Sequence, residues 1–171
     1  MPLHHQNPDP QIIQSLENQG IKYTLLEHSP FFSCQDSESF WSNRIQNSTQ
    51  TIANCKTLML RDKKKKNYYM YITFCDQKVD LSQFQKDIDS KRLSFASETD
   101  LESLLQVYPG CVNPFSLIHD QQNKIQVYIQ KETLNYDLQA FHPGNNKYSI
   151  ELTTKDFQKF LSNTGNKITI L

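Results

Sequence analysis

KRLSFASETDLESLLQVYPGCVNPFSLIHD, residues 91–120, is the stretch whose reading decides the fold. Ser97 suits a helix N-cap, because its hydroxyl can accept from a backbone N–H of the first turn. Glu98 and Asp100 follow where the positive end of the helix dipole favours acids. Leu101, Leu104 and Leu105 stand at helical spacing and give one apolar face. Tyr108-Pro109-Gly110 is expected to stop the helix. Proline fixes its own φ and glycine tolerates φ > 0, so Pro109-Gly110 fits the two central positions of a type II turn. The loop Gly110-Cys111-Val112-Asn113-Pro114 comes next, and Phe115 to Ile118 reads as a buried strand. A loop pinned by glycine at one end and proline at the other has little freedom, so its backbone groups can be aimed at a ligand. By spacing alone it is equally a plain helix-to-strand connection.

Outward from this stretch, the pattern alternates short helices and strands. Pro10 opens a helix with Ile12, Ile13 and Leu16 inward, ended by Gly20; a strand is expected from Ile21 to Leu26. Asp36 to Ile45 reads as a helix with Phe40 and Trp41 inward, capped by Asp36 or Ser37. Lys56 to Arg61 and Tyr68 to Phe74 are apolar on both faces, as covered central strands are. Asp80 caps a helix to Ile88. Ile125 to Ile129 alternates as a half-exposed strand, expected to pair with Phe115 to Ile118. Leu138 to His142 and Tyr148 to Leu152 form a hairpin, Thr153 or Thr154 caps a last helix ended by Gly165, and Lys167 to Leu171 is a final strand. The expected fold is mixed α/β (α+β), a central and largely antiparallel mixed sheet with surrounding helices. Residues 1–8 are expected to be a flexible N-terminus and 9–171 a single domain.

The composition excludes several classes. The chain has 18 basic and 18 acidic residues, 37% hydrophobic residues, no apolar run of membrane-spanning length and no signal-peptide pattern. A cytoplasmic protein without membrane attachment is the simplest expectation. Its zero formal charge carries no bulk footprint for duplex nucleic acid; the basic exception is Arg61 with Lys63 to Lys66, which also fits a solvated hairpin turn. Cys34, Cys55, Cys75 and Cys111 are widely spaced without a C-x-x-C pair and read as free thiols, some of them buried. Cys111 lies in the loop and so enters as a nucleophile candidate, though no His or Asp is near it in sequence. No zinc-ligand spacing, phosphate loop or dinucleotide fingerprint appears, so no metal or cofactor is expected. Lys56 starts its strand on the side of Leu58 and Leu60, either to serve a site or to carry its ammonium to water over a packed stem. His142, on the side of Leu138 and Ala140, is either a site residue or a packed histidine.

KRLSFAS, the short helix and PGCVNPFSLI together resemble the prolyl-tRNA synthetase-associated editing domain family, including the free-standing relatives of the insertion domain in bacterial prolyl-tRNA synthetases. Gly110 to Pro114 matches its G-x-x-x-P loop. CKTLMLRD at 55–62, AFHP at 140–143 with Asn145 and Asn146, and the His28, Pro30 and Ser33 element fit in the right order, so the resemblance covers about Asp9 to the C-terminus. It implies hydrolysis of the ester on mischarged tRNA(Pro), most simply Ala-tRNA(Pro), without a cofactor. The implied partners are the tRNA(Pro) acceptor end carrying a wrong amino acid and, transiently, prolyl-tRNA synthetase. It implies catalytic roles for Lys56, Gly110 and His142, and substrate contacts from Cys111, Val112, Asn113, Pro114, Thr57, Ser116 and His28. The family uses no cysteine at position 111. Thr57 replaces an asparagine frequent in the family and Ser116 a glycine, which opens serine, cysteine or threonine as alternative amino acids. A catalytically silent tRNA- or synthetase-binding module is the rival reading.

Overall fold

In the computed structural model, residues 7–64 and 66–171 are described; the expected flexible N-terminus lies outside them except for its last two residues. In chain order the elements are α1 (Pro10–Asn18), β1 (Tyr23–Glu27), α2 (Glu38–Gln46), β2 (Ile52–Asp62), β3 (Tyr68–Phe74), α3 (Leu81–Asp87) and β4 (Leu93–Phe95). There follow α4 (Glu98–Leu105), a 3-10 helix (Pro114–His119), β5 (Ile125–Ile129), a second 3-10 turn (Lys131–Asn135), β6 (Leu138–Phe141), β7 (Tyr148–Thr153), α5 (Thr154–Thr164) and β8 (Ile168–Ile170). Four caps match their residue chemistry, whereas Ser37, at the N-cap of α2, makes no side-chain capping bond and donates its hydroxyl to Cys34 C=O. Asp9, Asp80, Ser97 and Thr153 each accept a backbone N–H of the first turn, and Ser97 with Asp100 closes a full capping box.

The strands form one mixed sheet in the order β1-β7-β6-β2-β3-β5-β8, with β4 beside β2. The pairs β1·β7, β2·β3, β2·β4 and β6·β7 are antiparallel; β2·β6, β3·β5 and β5·β8 are parallel. Strand alternation divides the core. On one face Ala53, Cys55, Met59, Met70 and Ile72 join the main cluster with Leu16 of α1, Leu101 and Leu105 of α4, and Phe157 and Phe160 of α5. On the other face two smaller clusters form. Trp41 of α2 packs on Ile52, Leu138 and Ala140, and Phe84 of α3 packs with Leu60, Tyr69 and Tyr128. Arg44 pins α2 down by a bidentate ion pair with the buried Glu151 of β7, at 2.9 and 2.7 Å.

Four expectations are corrected. Phe115 to Ile118 is a 3-10 helix, not a strand: Asn113 caps it by accepting the Ser116 N–H at 3.0 Å, and Pro114 occupies its first position. β5 consequently pairs with β3 and β8. The helix α4 ends before the Pro-Gly turn, at Gln106, in the left-handed conformation with φ 54°. Cys34 and Cys75 form a disulfide and only Cys55 and Cys111 are free among the described cysteines; residues 41 apart in sequence meet because β3 ends beside the β1–α2 segment. Finally, Arg61 is committed to an ion pair with Asp100 at the start of α4, so its charge is neutralised within the fold rather than presented with the lysines.

Candidate active site

β2 changes neighbours along one edge. Ile52 to Asn54 pair with β6, and Leu60 to Asp62 pair with β4. Between these two partners the edge is open. Thr51 C=O accepts from Leu138 N–H at 2.9 Å and Met59 C=O accepts from Ala96 N–H at 2.9 Å, both toward this edge. Main-chain groups of alternate strand residues point to the same side, so Thr57 turns its N–H and C=O into the gap. The opposite edge of the same segment is filled by β3, with Lys56 beside Thr73 and Thr57 beside Ile72.

A cavity of about 420 Å³ occupies this gap, a size that suits a small-molecule group. Its lining brings together Lys56 and Thr57 of β2, Gly110 and Val112 of the loop, and His142 just after β6. Leu101 and Phe141 form apolar wall. The Pro109-Gly110 turn is the one the sequence predicts: Cys111 N–H donates to Tyr108 C=O at 3.1 Å, and Gly110 has φ 88°. The other expected contact residues stand behind this lining. Asn113 and Ser116 are buried and bonded to each other, with the Asn113 amide also donating to Cys111 C=O at 3.0 Å. They hold the loop's shape. Pro114 and Cys111 are buried behind the lining as well. Burial pushes the Cys111 thiol up to about 11, opposed by hydrogen bonding to Tyr108 and the Asn146 backbone, so it is no thiolate nucleophile at neutral pH.

The Lys56 ammonium donates to the Gln77 carbonyl just beyond β3. Burial lowers its pKa, and the nearby Asp76 carboxylate pulls the other way. An ammonium carries three donors, so one bond to Gln77 leaves two for a ligand. His142 Nδ1 lies 2.9 Å from Tyr148 C=O. A carbonyl only accepts, so Nδ1 holds the proton and Nε2 of the neutral ring is an acceptor. Burial, and to a lesser extent the His28 ring, lower the His142 pKa and keep it neutral. His28 is not in the lining: its ring stacks on Phe31 at 3.9 Å, Nε2 meets Ser149 Oγ at 2.8 Å, and it supports His142 edge-on at 5.8 Å.

Thr57 Oγ1 is buried and has no hydrogen-bond partner among the described residues. A buried hydroxyl left unpaired is costly, and here it belongs to a residue lining the cavity. Sequence reasoning missed the rim: Phe31, Phe32, Cys34, Cys75 and Phe95 also line the cavity. The Phe31-Phe32 doublet in a polar segment was the available signal; the partner switch of β2 left none. Among the described residues no group of three His, Cys, Asp or Glu side chains converges to hold a metal.

The mixed α/β fold, its sheet opened at one strand edge with a lysine, a histidine and a Gly–Pro loop about the opening, presents a cavity able to take a small group. The sequence profile of the aminoacyl-tRNA editing domain family matches residues 42–160. The chain is 33% identical to the prolyl-tRNA editing protein ProX of Acetoanaerobium sticklandii over 155 residues, 91% of each chain. It is 30% identical to prolyl-tRNA synthetase associated domain-containing protein 1 of Mus musculus, covering 94% of each. A solved structure described as a candidate trans-editing enzyme for prolyl tRNA synthetase shares the fold with a TM-score of 0.64 at 18% identity, over 96% of this chain and 97% of that one. Another, of a hypothetical protein, gives 0.69 at 15% identity over 92% and 96%. This chain belongs to the aminoacyl-tRNA editing domain family.

Proposed function

We propose that the protein is a trans-editing deacylase that hydrolyses the ester of mischarged tRNA(Pro) in the cytoplasm, with Ala-tRNA(Pro) as the first-choice substrate. The observation carrying this reading is the convergence of Lys56, Gly110 and His142, residues far apart in sequence, on one cavity at an open strand edge. The relative from Acetoanaerobium sticklandii is named for prolyl-tRNA editing, and the mouse relative for association with prolyl-tRNA synthetase, which supports a transient contact with that enzyme.

An aminoacyl ester is already activated, so the chemistry needs a placed water and charge stabilisation rather than a protein nucleophile. Water attacks the ester carbonyl carbon, the carbonyl oxygen becomes an oxyanion, and the bond to the ribose oxygen then breaks with a proton passing to that oxygen. The two free donors on the Lys56 ammonium suit the oxyanion. The acceptor Nε2 of His142 suits a hydroxyl of the terminal ribose. The Gly110 turn and the outward main-chain groups of Thr57 orient the aminoacyl moiety, positioning worth more here than any single contact.

The cavity as a whole is larger than an alanyl group requires, so selection against proline is assigned to its buried apolar lining, Cys55, Met59 and Leu101. One missing methylene is worth only about 1–3 kcal/mol in the synthetase's own pocket, which is why a second, smaller sieve is needed. Thr57 lines the cavity with its hydroxyl buried, so the seryl variant of this reading requires that hydroxyl to turn toward the ligand, where a seryl group would gain a hydrogen bond that an alanyl group lacks. Ser116 plays no part in it, being consumed by Asn113. Single-turnover deacylation of tRNA(Pro) charged with alanine, serine, cysteine or proline tests the proposal. The expected result is rapid loss of the alanyl ester with the prolyl ester spared. Hydrolysis of none of the four would leave a silent binding module, and equal hydrolysis of alanyl and prolyl esters would remove size as the basis of choice.

A further inference from the structure

Two phenylalanines stand in water at the rim of this cavity. Phe32 is 81% exposed and Phe95 is 58% exposed, although both contribute to its lining. Exposure of that degree is unusual for phenylalanine in so polar a chain, and neither ring sits on a loose segment. Phe32 lies between Phe31, whose N–H donates to Asn146 C=O at 3.0 Å, and Cys34, tied by its disulfide to Cys75. Its own N–H donates to Asp36 at 3.1 Å. Phe95 is in register with Leu60 of β2, and the next residue donates to Met59 C=O. The backbone therefore holds two aromatic faces in solvent at the entrance, at the cost of leaving both unburied.

We propose that Phe32 and Phe95 form a stacking clamp for the unpaired nucleobases at the 3′ end of the nucleic-acid substrate. The inference rests on the editing reading, because an amino acid seated among Lys56, Gly110 and His142 is joined through a single ribose to its terminal base, which must then lie at the rim. Every base has a π-face, so two fixed phenyl rings hold a single-stranded end without reading its sequence. Charge supports this occupant over a protein partner. Lys63 N–H donates to Arg92 C=O at 2.9 Å, which brings the exposed Lys63, Lys64 and Lys66 of the β2–β3 turn beside the exposed Lys91 and Arg92 leading into β4. These cations adjoin the strand that carries Phe95 and meet the phosphates that precede the terminal nucleotide. Two acids stand near the same rim, Glu98 in the lining and the exposed Asp36 that accepts the Phe32 N–H, and the lysines and Arg92 outnumber them. The protein thus keeps zero formal charge overall while offering a local path for a backbone of phosphates.

Steady-state deacylation by Phe32→Ala and Phe95→Ala tests the clamp. Each variant should raise KM about tenfold, the fold-change of one lost base stack, with kcat kept within about twofold. Phe→Trp at either position should restore KM, whereas Phe→Leu, equally apolar but without a π-face, should not. Fluorescence anisotropy of a labelled, uncharged acceptor-stem hairpin ending in single-stranded CCA reads the same contact without catalysis, so the clamp is tested even if the protein hydrolyses none of the esters. Unchanged KM and unchanged hairpin binding in both alanine variants overturn the proposal. So does full rescue by leucine, or an effect that appears only when prolyl-tRNA synthetase is added, since either would make the rings a protein-docking or packing feature.

Discussion

Breaking the Cys34–Cys75 bond is expected to cost much of the stability of the oxidised protein. The bond joins the β1–α2 segment to the end of β3 across 41 residues. Closing a loop of that length in the unfolded chain removes entropy equivalent to about 4 kcal/mol in the chain-entropy treatment, and native bridges usually deliver about 2–4 kcal/mol. For a chain of this size each kcal/mol moves the melting temperature by about 2–4 °C, so reduction should lower it by about 5–15 °C. The assay is a pair of thermal melts followed by circular dichroism, with and without reductant, beside a Cys34→Ser/Cys75→Ser double variant that should match the reduced protein in both conditions. Intact mass before each melt establishes that the bond is present in the oxidised sample. A confirmed bond with no difference in melting temperature would mean that the β1–α2 segment is already fixed in the unfolded ensemble or contributes nothing to the cooperative unit. The outcome also bears on where the bond can persist, because a reducing compartment leaves such bonds transient.

Three further expectations concern the site. Lys56→Ala should lower single-turnover deacylation by about 10²-fold or more, the usual cost of removing an oxyanion stabiliser, with an unchanged circular dichroism spectrum; a preserved rate would exclude this role. Gly110→Ala should destabilise by about 1–2 kcal/mol in denaturant titrations, since φ is 88° but no atom of the described residues lies within 4 Å of the added Cβ. A cost well above that would mean the loop packs more tightly than it does here. Burial holds His142 and His28 below the ordinary 6.5. The unfolded chain takes up protons below that value that the folded chain refuses, so stability is complete above about pH 6.5 and falls as the pH drops toward 5. His142→Gln should flatten part of that fall; an unaltered pH profile would show that the ring is not kept neutral by the fold.

The elements with a chemical punctuation mark were legible in the sequence. Ser97, Asp80 and Thr153 announce their helices because a capping oxygen is needed there, and Pro109-Gly110 announces its turn because few other pairs fit it. Phe115 to Ile118 misled because an apolar run of four carries no period: buried on all sides, it reads alike as strand or as 3-10 turn, and only the Asn113 cap decides it. The lining residues Lys56, Gly110 and His142 emerged from motif resemblance, and the cavity among them did not, because it is made by β2 exchanging β6 for β4, a long-range pairing no local pattern records. The disulfide was invisible for the same reason: spacing says nothing about two cysteines brought together by tertiary structure.

The open stretch of β2 also bears on how this molecule avoids sticking to others. A free strand edge is a template for any extended chain that passes, and natural sheets ordinarily protect theirs with charge, bulges or brevity. Here the unpaired stretch is bracketed by β6 on one side and β4 on the other, so an incoming strand would run into a neighbour within a few residues. A compact ligand meets no such obstacle. The fold therefore keeps main-chain hydrogen-bonding capacity exposed in the interior of a sheet without offering an edge for aggregation, and that capacity belongs to the backbone, so point substitutions can reshape the walls around it but cannot delete it.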